Sequence, residues 1–373
     1  MGENLKESDL LKELVSRYEN KIGNFDKIQD LFENCEEYNP WNTEKTSELS
    51  KEFFAALKND DKEFSWLKID NDLYEELKDK TKKAASIDYG IPSHVRGDIE
   101  NGTLFLCLVN PNIDVKVAMC EAVGKQNKED IKKYIIDISP TGGILYKELK
   151  ENGLENPGYY TSNYFNAILQ SINDFENTNN SENYDTNKQA KNENEESNKK
   201  SLDFIKISKK IVDLEAFPFR SSSPNFAKKG NKDADQRFAN CLVKSNSKVS
   251  MLSSRIIIWK ILEYINNPKD KVKPVFIIRR FNRAWRPSIT NVLIEDFEIK
   301  DDKDIDNIIN ELHKEYFYTL GYSDTDNLSS MDTSLYKEDV NIYNKKEKRK
   351  EFNKRISDAL ISQKDKKENK KYE

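Results

Sequence analysis

Histidine is scarce in this chain, and the scarcity narrows the chemistry that the protein can perform. Only two are present, His94 and His313, so a metal site built from several histidines and a zinc-protease helix are both excluded. A Ser-His-Asp triad would need one of the two. We expect structural roles for both, because His94 lies in the loop string PSHVRGD and His313 in the helical-looking string NIINELHKEYFYTL.

Cysteine pairs and glycine-rich loops are also lacking. The four cysteines are scattered without CxxC spacing, which favours neither a disulfide framework nor a zinc site. The phosphate-binding patterns GxGxxG and GxxxxGKS/T do not occur. The amino terminus has no apolar stretch long enough for a signal peptide or a membrane span. We expect a cytoplasmic protein without a membrane partner that acts without a metal ion or an organic cofactor.

Positive charge does not dominate the composition. The 373 residues include 61 Lys and Arg against 66 Asp and Glu, for a net charge of -5, so the surface as a whole offers no basic field to a polyanion. Any nucleic-acid site must therefore be a local patch. The mean hydropathy of -0.85 is low for one uniformly packed globule of this size, which predicts long solvated segments.

Hydrophobic periodicity divides the chain into three parts. Residues 1–94 repeat apolar side chains at helical spacing, which predicts an all-helical amino-terminal region. Residues 95–330 alternate strand-like and helix-like stretches, which predicts a doubly wound, three-layer α/β/α domain with a mostly parallel sheet. Within it, residues 176–200 have almost nothing to bury and predict a disordered insertion. The tail, residues 334–373, is rich in Lys and Glu and predicts one basic amphipathic helix.

Three strand-like stretches of this domain run into polar loops. Apolar strings cover residues 103–109, 204–214 and 274–278, and an apolar helix is predicted over 251–265. In an open parallel sheet, ligands bind at the carboxyl ends of the strands. The loops that follow the three stretches are Asn110-Pro111-Asn112, Phe217-Pro218-Phe219-Arg220-Ser221-Ser222-Ser223, and the string RRFNRAWRPS over residues 279–288.

Taken together, these loops resemble those of the uracil-DNA glycosylase superfamily. Its mismatch-specific branch follows the first strand with Gly, an apolar residue, Asn, Pro and Gly, where this chain has Leu108-Val109-Asn110-Pro111-Asn112 without either glycine. The resemblance covers roughly residues 95–290 outside the insertion. It implies hydrolysis of the N-glycosidic bond of a nucleotide flipped out of DNA. Because both signature loops depart from the family pattern, we expect a base other than uracil, such as a modified base of foreign phage DNA.

The resemblance also implies catalytic roles. Asn110 would position the water that attacks the anomeric carbon, with Pro111 and Asn112 beside the substrate. Many members follow their last core strand with His-Pro-Ser or Asn-Pro-Ser, and the nearest parallel here is Arg286-Pro287-Ser288. Arg286 would then stabilise the departing base, whose negative charge needs a fixed cation, and Ser288 would contact a phosphate.

Base stacking is implied for the loop after the second strand-like stretch. Phe217 or Phe219 would stack on the extruded base, with Arg220 and Ser221 in the substrate site. The alternative for both rings is ordinary packing in the core or the loop.

The string RRFNRAWR favours contact with the DNA backbone. It interleaves four arginines with two aromatic residues, a pattern that suits phosphate pairing and stacking. The alternative is a surface loop paired with carboxylates. The residues predicted to contact the DNA backbone are Arg279, Arg280, Arg283 and Trp285.

Two other functions remain open at the level of sequence. The same fold could bind a nucleotide, a modified base or a protein partner without catalysing a reaction. A different α/β hydrolase or transferase could use the serines at 221–223, although no residue of the sequence is placed to activate them.

Overall fold

The computed structural model describes residues 9–22, 28–79, 85–111, 128–182, 203–220, 238–320 and 345–361. In these ranges the chain is a mixed α/β structure with a six-stranded, mostly parallel sheet. The strands are β1 (Val95–Arg96), β2 (Leu104–Leu108), β3 (Ile136–Asp137), β4 (Ile211–Glu215), β5 (Val275–Arg279) and β6 (Phe317–Leu320). The helices are α1 (Asp9–Ile22), α2 (Ile28–Asn34), α3 (Glu44–Asn59), α4 (Asn71–Leu77), α5 (Lys128–Ile135), α6 (Ile144–Asn152), α7 (Asn166–Glu182), α8 (Phe204–Ser208), α9 (Phe238–Lys244), α10 (Lys248–Asn266), α11 (Arg286–Glu295), α12 (Asp302–Tyr316) and α13 (Lys345–Leu360). Shorter 3-10 turns cover Trp66–Ile69 and Ile87–Tyr89, and π-turns cover Thr161–Phe165 and Phe281–Trp285.

The order of the strands determines where a binding site can form. The sheet runs β3-β1-β4-β2-β5-β6. The strands β4, β2, β5 and β6 are parallel to one another, and β1 pairs antiparallel with β4. The first strand of the parallel set, β2, therefore lies between the second and the third, so the connections diverge beyond the carboxyl ends of β2 and β5. Such a switch point is the usual place for a ligand in an open α/β sheet.

The central strands are buried on both faces. Every residue of β2 is buried, and the string LFLCL is the continuous apolar run expected of a strand covered on both sides. The strand β4 is equally buried, but its string IVDLE carries two acids, Asp213 and Glu215. Burial of two acids on a central strand costs free energy unless they are neutral or paired.

Alternate residues of β2 belong to two different clusters of buried side chains. On one face, Phe105 and Leu214 belong to a core that also contains residues of α1 to α5 and α9 to α12. On the other face, Leu106 packs with residues of α6, α7, α8 and α13. The amino-terminal helices share the first core, since the rings of Tyr18 and Phe32 lie 5.4 and 6.5 Å from that of Trp259.

Several predicted elements are confirmed, and others have different boundaries. The strands β2, β4 and β5 and the apolar helix α10 form where the sequence predicts them. The helix predicted to run through residue 320 ends at Tyr316, because the β-favouring string FYTL pairs with β5 as β6. The strand-like residues 204–208 form the short helix α8.

The predicted insertion differs in part from expectation, whereas the predicted tail helix is confirmed. Residues 176–182 continue α7 in helical conformation, and residues 183–202 lie outside the described residues. The apolar stripe of the tail helix α13 is packed, because Phe352, Ile356 and Leu360 are buried in the core that contains residues of β2 and β5. A helix with one apolar stripe needs a surface to cover that stripe, and the sheet supplies it.

Candidate active site at the carboxyl ends of the central strands

The loops that follow β2 and β4 are joined by a side chain. The amide nitrogen of Asn110 donates hydrogen bonds to the backbone oxygens of Phe219, at 3.3 Å, and Pro111, at 3.4 Å. The backbone N–H of Phe217 also donates to Val109 O at 3.2 Å. Because both acceptors of the amide are carbonyl groups, the nitrogen of the Asn110 side chain and not its oxygen faces them.

Glu215 is the last residue of β4 and lies in the same row of the sheet as the end of β2. It pairs in register with Leu108, and Cys107 pairs with Ile278 of β5, so Arg279 follows on the other side of Leu108. The side chain of Glu215 is only 4% exposed, and its Oε2 atom has no hydrogen-bond partner in the described part of the chain. A buried acid without a partner at a strand end is a candidate functional group.

The two acids of β4 are both held toward their neutral forms. Burial, and then the neighbouring charge of Asp213, raises the pKa of Glu215 well above its ordinary value, although Arg279 and Arg220 act in the opposite direction. Burial raises the pKa of Asp213 to about 7, against the hydrogen bond that its Oδ2 accepts from Ile144 N at 3.0 Å. The strand therefore places two protonatable carboxyl groups on one face, two residues apart.

Two tyrosines at the turn before α7, Tyr160 and Tyr164, are influenced electrostatically by Glu215. Burial and then Glu215 and Asp213 raise the pKa of Tyr160 well above its ordinary value. The hydroxyl of Tyr164 accepts a hydrogen bond of 3.3 Å from Arg279. Glu148 of α6 orients the turn, because its carboxylate accepts hydrogen bonds from the backbone N–H groups of Tyr160 and Thr161, at 3.2 and 2.8 Å.

A charged row continues from Asp213 to the edge of the sheet. In register, Asp213 pairs with Arg96 of β1, which pairs with Asp137 of β3. The carboxylate of Asp137 accepts hydrogen bonds from Lys147 at 2.8 Å and from Ser139 Oγ at 2.6 Å. Burial opposes ionisation of Asp137, but these hydrogen bonds outweigh it and lower its pKa. The two aspartates of this row therefore differ in their charge.

The two phenylalanines predicted to stack on a base lie in the core. Phe217 and Phe219 are each 1% exposed, and their rings pack against that of Phe238 at 6.4 and 6.3 Å. Phe219 also contacts Trp41, whose indole N–H donates to His94 Nδ1 at 3.0 Å. A base from solvent could reach rings this buried only if the neighbouring side chains moved. The alternative stated above, that both rings pack in the core, therefore describes their position. Burial lowers the pKa of His94 to about 3, which keeps the ring neutral.

The arginine string after β5 is a helical segment and not an extended loop. Arg280 takes the left-handed conformation, with φ of 52°, and ends β5. The π-turn Phe281–Trp285 follows at once, and Pro287 in the first turn of α11 favours a helix start there. Arg279 and Arg280 therefore remain at the carboxyl edge of the sheet, and Arg283 lies within the π-turn.

The residues at the start of α11 have internal contacts. Arg286 forms an ion pair of 2.7 Å with Asp306, and the buried hydroxyl of Ser288 donates to Ser250 O at 2.7 Å. The ring of Trp285 is fully buried. In the described structure, Ser288 and Trp285 thus serve to pack α11 against α10 and the sheet and are not placed at a DNA-facing surface.

Some of the other predicted site residues lie at the site, and the rest lie outside the described residues. The guanidinium of Arg220 donates to Ile91 O at 3.1 Å and to Tyr134 Oη at 2.5 Å, which holds it beside the end of β4. Pro111 is buried next to Asn110. Asn112 and Ser221 lie outside the described residues, as do the remaining serines of the serine string.

Sequence reasoning missed the two acids of β4 and the tyrosines before α7. A signal was present, because the string IVDLEAF places acids at alternate positions of an otherwise apolar strand, where solvent exposure cannot explain them. Tyr160 and Tyr164 carry no comparable signal, since aromatic residues at helical spacing are typical of a core.

The chain matches no known family model, no curated protein and no solved structure. Across the described ranges, no helix is long and apolar enough to cross a membrane. In the same ranges, no three or more His, Cys, Asp and Glu side chains group in a way that could hold a metal ion.

Proposed function

We propose that the protein hydrolyses the N-glycosidic bond of a nucleotide flipped out of DNA, and that the base is one other than uracil. The observation that carries this proposal is the position of the Asn110 amide, which donates a hydrogen bond of 3.3 Å to Phe219 O at the switch point of the sheet. Its position beside the acids of β4 and Arg279 supports a hydrolytic site. We further propose that the chain contains a doubly wound, three-layer α/β/α domain of the uracil-DNA glycosylase superfamily, preceded by a helical amino-terminal extension. We also propose that the protein is located in the cytoplasm.

In this proposal, the side-chain oxygen of Asn110 accepts a hydrogen bond from the attacking water. As the bond breaks, positive charge develops on the sugar and negative charge on the base, and fixed groups that match those charges lower the barrier. Arg279 suits the second task better than Arg286, because it donates to Tyr164 and its charge acts on Glu215 while Arg286 pairs with Asp306. Arg280 and Arg283 follow at the same edge and are the proposed phosphate contacts.

Replacement of Asn110 tests the proposal. We expect Asn110→Ala to lower base release by ~10²-fold or more, the scale of losing a preorganised polar group, with little change in DNA affinity. Release is measured by alkaline cleavage at abasic sites in oligonucleotides that each carry one modified base. Asn291→Ala is the matched control, because Asn291 also donates from its amide to two backbone oxygens, Lys244 O and Ser245 O, but in a different part of the molecule.

Two results would count against the proposal. Equal release by the parent and Asn110→Ala would remove the amide from the reaction. A loss of folding in Asn110→Ala that Asn291→Ala does not share would assign the amide to the loop structure alone.

A second candidate function is binding without catalysis. It is favoured by the contacts of Arg286 and Ser288, because the groups expected after the last core strand are engaged with Asp306 and Ser250. Tight binding of a modified-base oligonucleotide by the parent protein, with no abasic product after prolonged incubation, would support this function over hydrolysis.

A further inference from the structure

Glu215 is fixed by its backbone, while its carboxyl group has no structural task. Its N–H donates to His94 O at 3.0 Å, and its carbonyl oxygen accepts from Ser253 Oγ at 2.6 Å. Yet Oε2 of the same residue is buried without a hydrogen-bond partner in the described chain. An unsatisfied buried polar group costs about 1–3 kcal/mol, so stability alone does not account for an acid at this position.

Charged and titratable groups from three elements surround the carboxyl group. Asp213 lies on the same strand, Arg220 in the loop that follows it, and Arg279 on β5. Tyr160 and Tyr164 lie at the turn before α7 and are influenced electrostatically by Glu215. Burial and the charge of Asp213 favour the protonated acid over the combined effect of the two arginines, so the pKa of Glu215 is raised well above its ordinary value.

The acid also lies beside the proposed water site. Glu215 pairs with Leu108, and Asn110 follows Leu108 by two residues on the same chain. The amide and the acid therefore stand at the carboxyl ends of adjacent strands. A reaction that needs a water on one side of a bond and a proton on the other is served by two groups placed in this way.

We propose that Glu215 is the general acid of this site and that it protonates the departing base. This inference rests on the proposed function. As the bond between the anomeric carbon and the base nitrogen breaks, its electron pair moves to the base, and the proton of the Glu215 carboxyl group passes to a ring nitrogen of that base. The water held by Asn110 adds its hydroxide to the sugar and releases its remaining proton to solvent, and the Glu215 carboxylate takes up a proton from solvent. The carboxyl group of Glu215 is thus protonated again, and the net reaction is hydrolysis of the N-glycosidic bond.

A proton donor at this position selects a class of substrate. A base with an acidic ring N–H, such as uracil, leaves as a stabilised anion and gains little from protonation. A base with an amino group and a basic ring nitrogen, of the adenine or cytosine type, is a poor anion and leaves as the neutral, protonated form. The preferred substrate is therefore an amino-bearing base, either unmodified or modified.

The protonation state of Glu215 is measured without any substrate. With glutamate labelled by carbon-13 at the carboxyl group, the infrared spectrum of the parent at neutral pH should show a protonated-carboxyl band that is absent from Glu215→Gln. Glu263→Gln is the control, because the carboxylate of Glu263 forms ion pairs with Lys260 and Lys271 and its removal should leave the protonated-carboxyl band unchanged. A parent spectrum without the protonated band would overturn the proposal.

The second experiment compares leaving groups. Oligonucleotides with a single unpaired adenine, cytosine or uracil are incubated with the parent and with Glu215→Gln. We expect the variant to release the amino bases ~10²–10³-fold more slowly, the scale of general acid catalysis, and to change uracil release far less. Equal losses on all bases, or no loss, would refute the general-acid role. If Glu215→Gln does not fold, Glu215→Asp takes its place, because it keeps the carboxyl group but moves it away from the base. This variant should also release the amino bases more slowly than the parent, by a smaller factor.

The two proposals fail in different ways. Absence of base release by the parent on every oligonucleotide overturns the proposed function and the catalytic role of Glu215 with it, while the infrared spectrum still decides whether this carboxyl group is protonated. Base release that requires Asn110 but not Glu215 keeps the proposed function and overturns only the general acid.

Discussion

Asp213 and Asp137 show how the surroundings of one residue decide its charge. Both lie in the row of the sheet that contains Arg96, and both are almost fully buried. Asp137 accepts hydrogen bonds from Lys147 and Ser139, whereas Asp213 has one bond from Ile144 N and a second oxygen without a partner in the described chain. Hydrogen bonds to the ionised form lower a carboxyl pKa, and burial without them raises it.

This difference predicts opposite effects of pH on stability. The folded-state pKa of Asp213 is raised from 3.8 to about 7, so its contribution is complete below the unfolded value and is lost as the pH rises toward the folded one. Asp213→Asn keeps an acceptor for Ile144 N, and we expect it to stabilise the protein relative to the parent by ~2–4 kcal/mol at about pH 8, with little gain at about pH 4. Urea unfolding at both pH values measures this.

Asp137→Asn is the matched variant for this experiment. The folded-state pKa of Asp137 is lowered, so its contribution is present above the unfolded value and is lost as the pH falls through the folded one. The variant should be less stable than the parent at about pH 8 and should approach it in acid. Parallel stability profiles for the two variants would contradict the assignment of charges in this row.

Sequence could indicate the two buried acids of β4 but not the partners of Asp213 in this row. The alternation in IVDLE placed Asp213 and Glu215 on one face of a strand. Arg96 and Asp137 belong to strands of two residues each, which are too short to show a period. Asn110 was predictable as a strand-end amide, but its bond to Phe219 joins residues more than a hundred positions apart, and local patterns carry no such information.

At the scale of elements, α13 is a structural part of the sheet domain. The ring of Phe352 packs edge-on against that of Tyr318 of β6, at 5.0 Å, and Ile356 is fully buried in the same core. The last turn of the helix is also tied down, because Thr103 Oγ and Lys210 Nζ donate to Ala359 O and Leu360 O, each at 2.6 Å. A basic amphipathic stretch at this point of a sequence suggests a surface helix, and only the sheet packing shows otherwise.

We therefore expect a large loss of stability from one ring in this helix. Phe352→Ala should lower the free energy of unfolding by about 3–5 kcal/mol, the cost of removing a buried phenylalanine ring. Lys354→Ala, an exposed position two residues away, should change it by less than about 0.5 kcal/mol. Denaturant titration compares the two. A loss below about 1 kcal/mol for Phe352→Ala would mean that α13 is only loosely attached.

Sequence predicted elements well where one pattern dominated and poorly where two competed. The uniform apolar strings of β2 and α10 left no alternative. The string over residues 281–288 contains arginines and a proline, which suit a surface loop. Its aromatic rings are nevertheless buried, and the chain forms a π-turn before α11. Tertiary packing decided that case, as it often does for short segments.

At the scale of the whole molecule, the amino-terminal helices and the sheet share one core. Tyr18 and Phe32 pack on Trp259, and Trp41 donates its indole N–H to His94, next to β1. Arg255 of α10, which pairs with Asp296, donates to Glu37 O at 3.3 Å. Contacts this extensive across the predicted boundary at residue 94 couple the two regions.

We expect the two regions to unfold in one transition. The four tryptophans are all buried, with Trp41 and Trp66 in the amino-terminal region and Trp259 and Trp285 in the remainder. With 5-fluorotryptophan incorporated, the fluorine resonances should lose their folded signals at a common denaturant midpoint, the signature of a two-state transition. Earlier loss of the Trp41 and Trp66 signals would show that the helical region is an independent domain.

The position of α13 bears on how the protein is made. A ribosome releases β2 and β5 well before residues 345–360. Until those residues emerge, the sheet face that carries Leu106 and Ile277 lacks one of the helices that pack on it. Exposed apolar surface on an unfinished chain invites association with other chains. The sheet can therefore reach its final packing only after translation has passed α13.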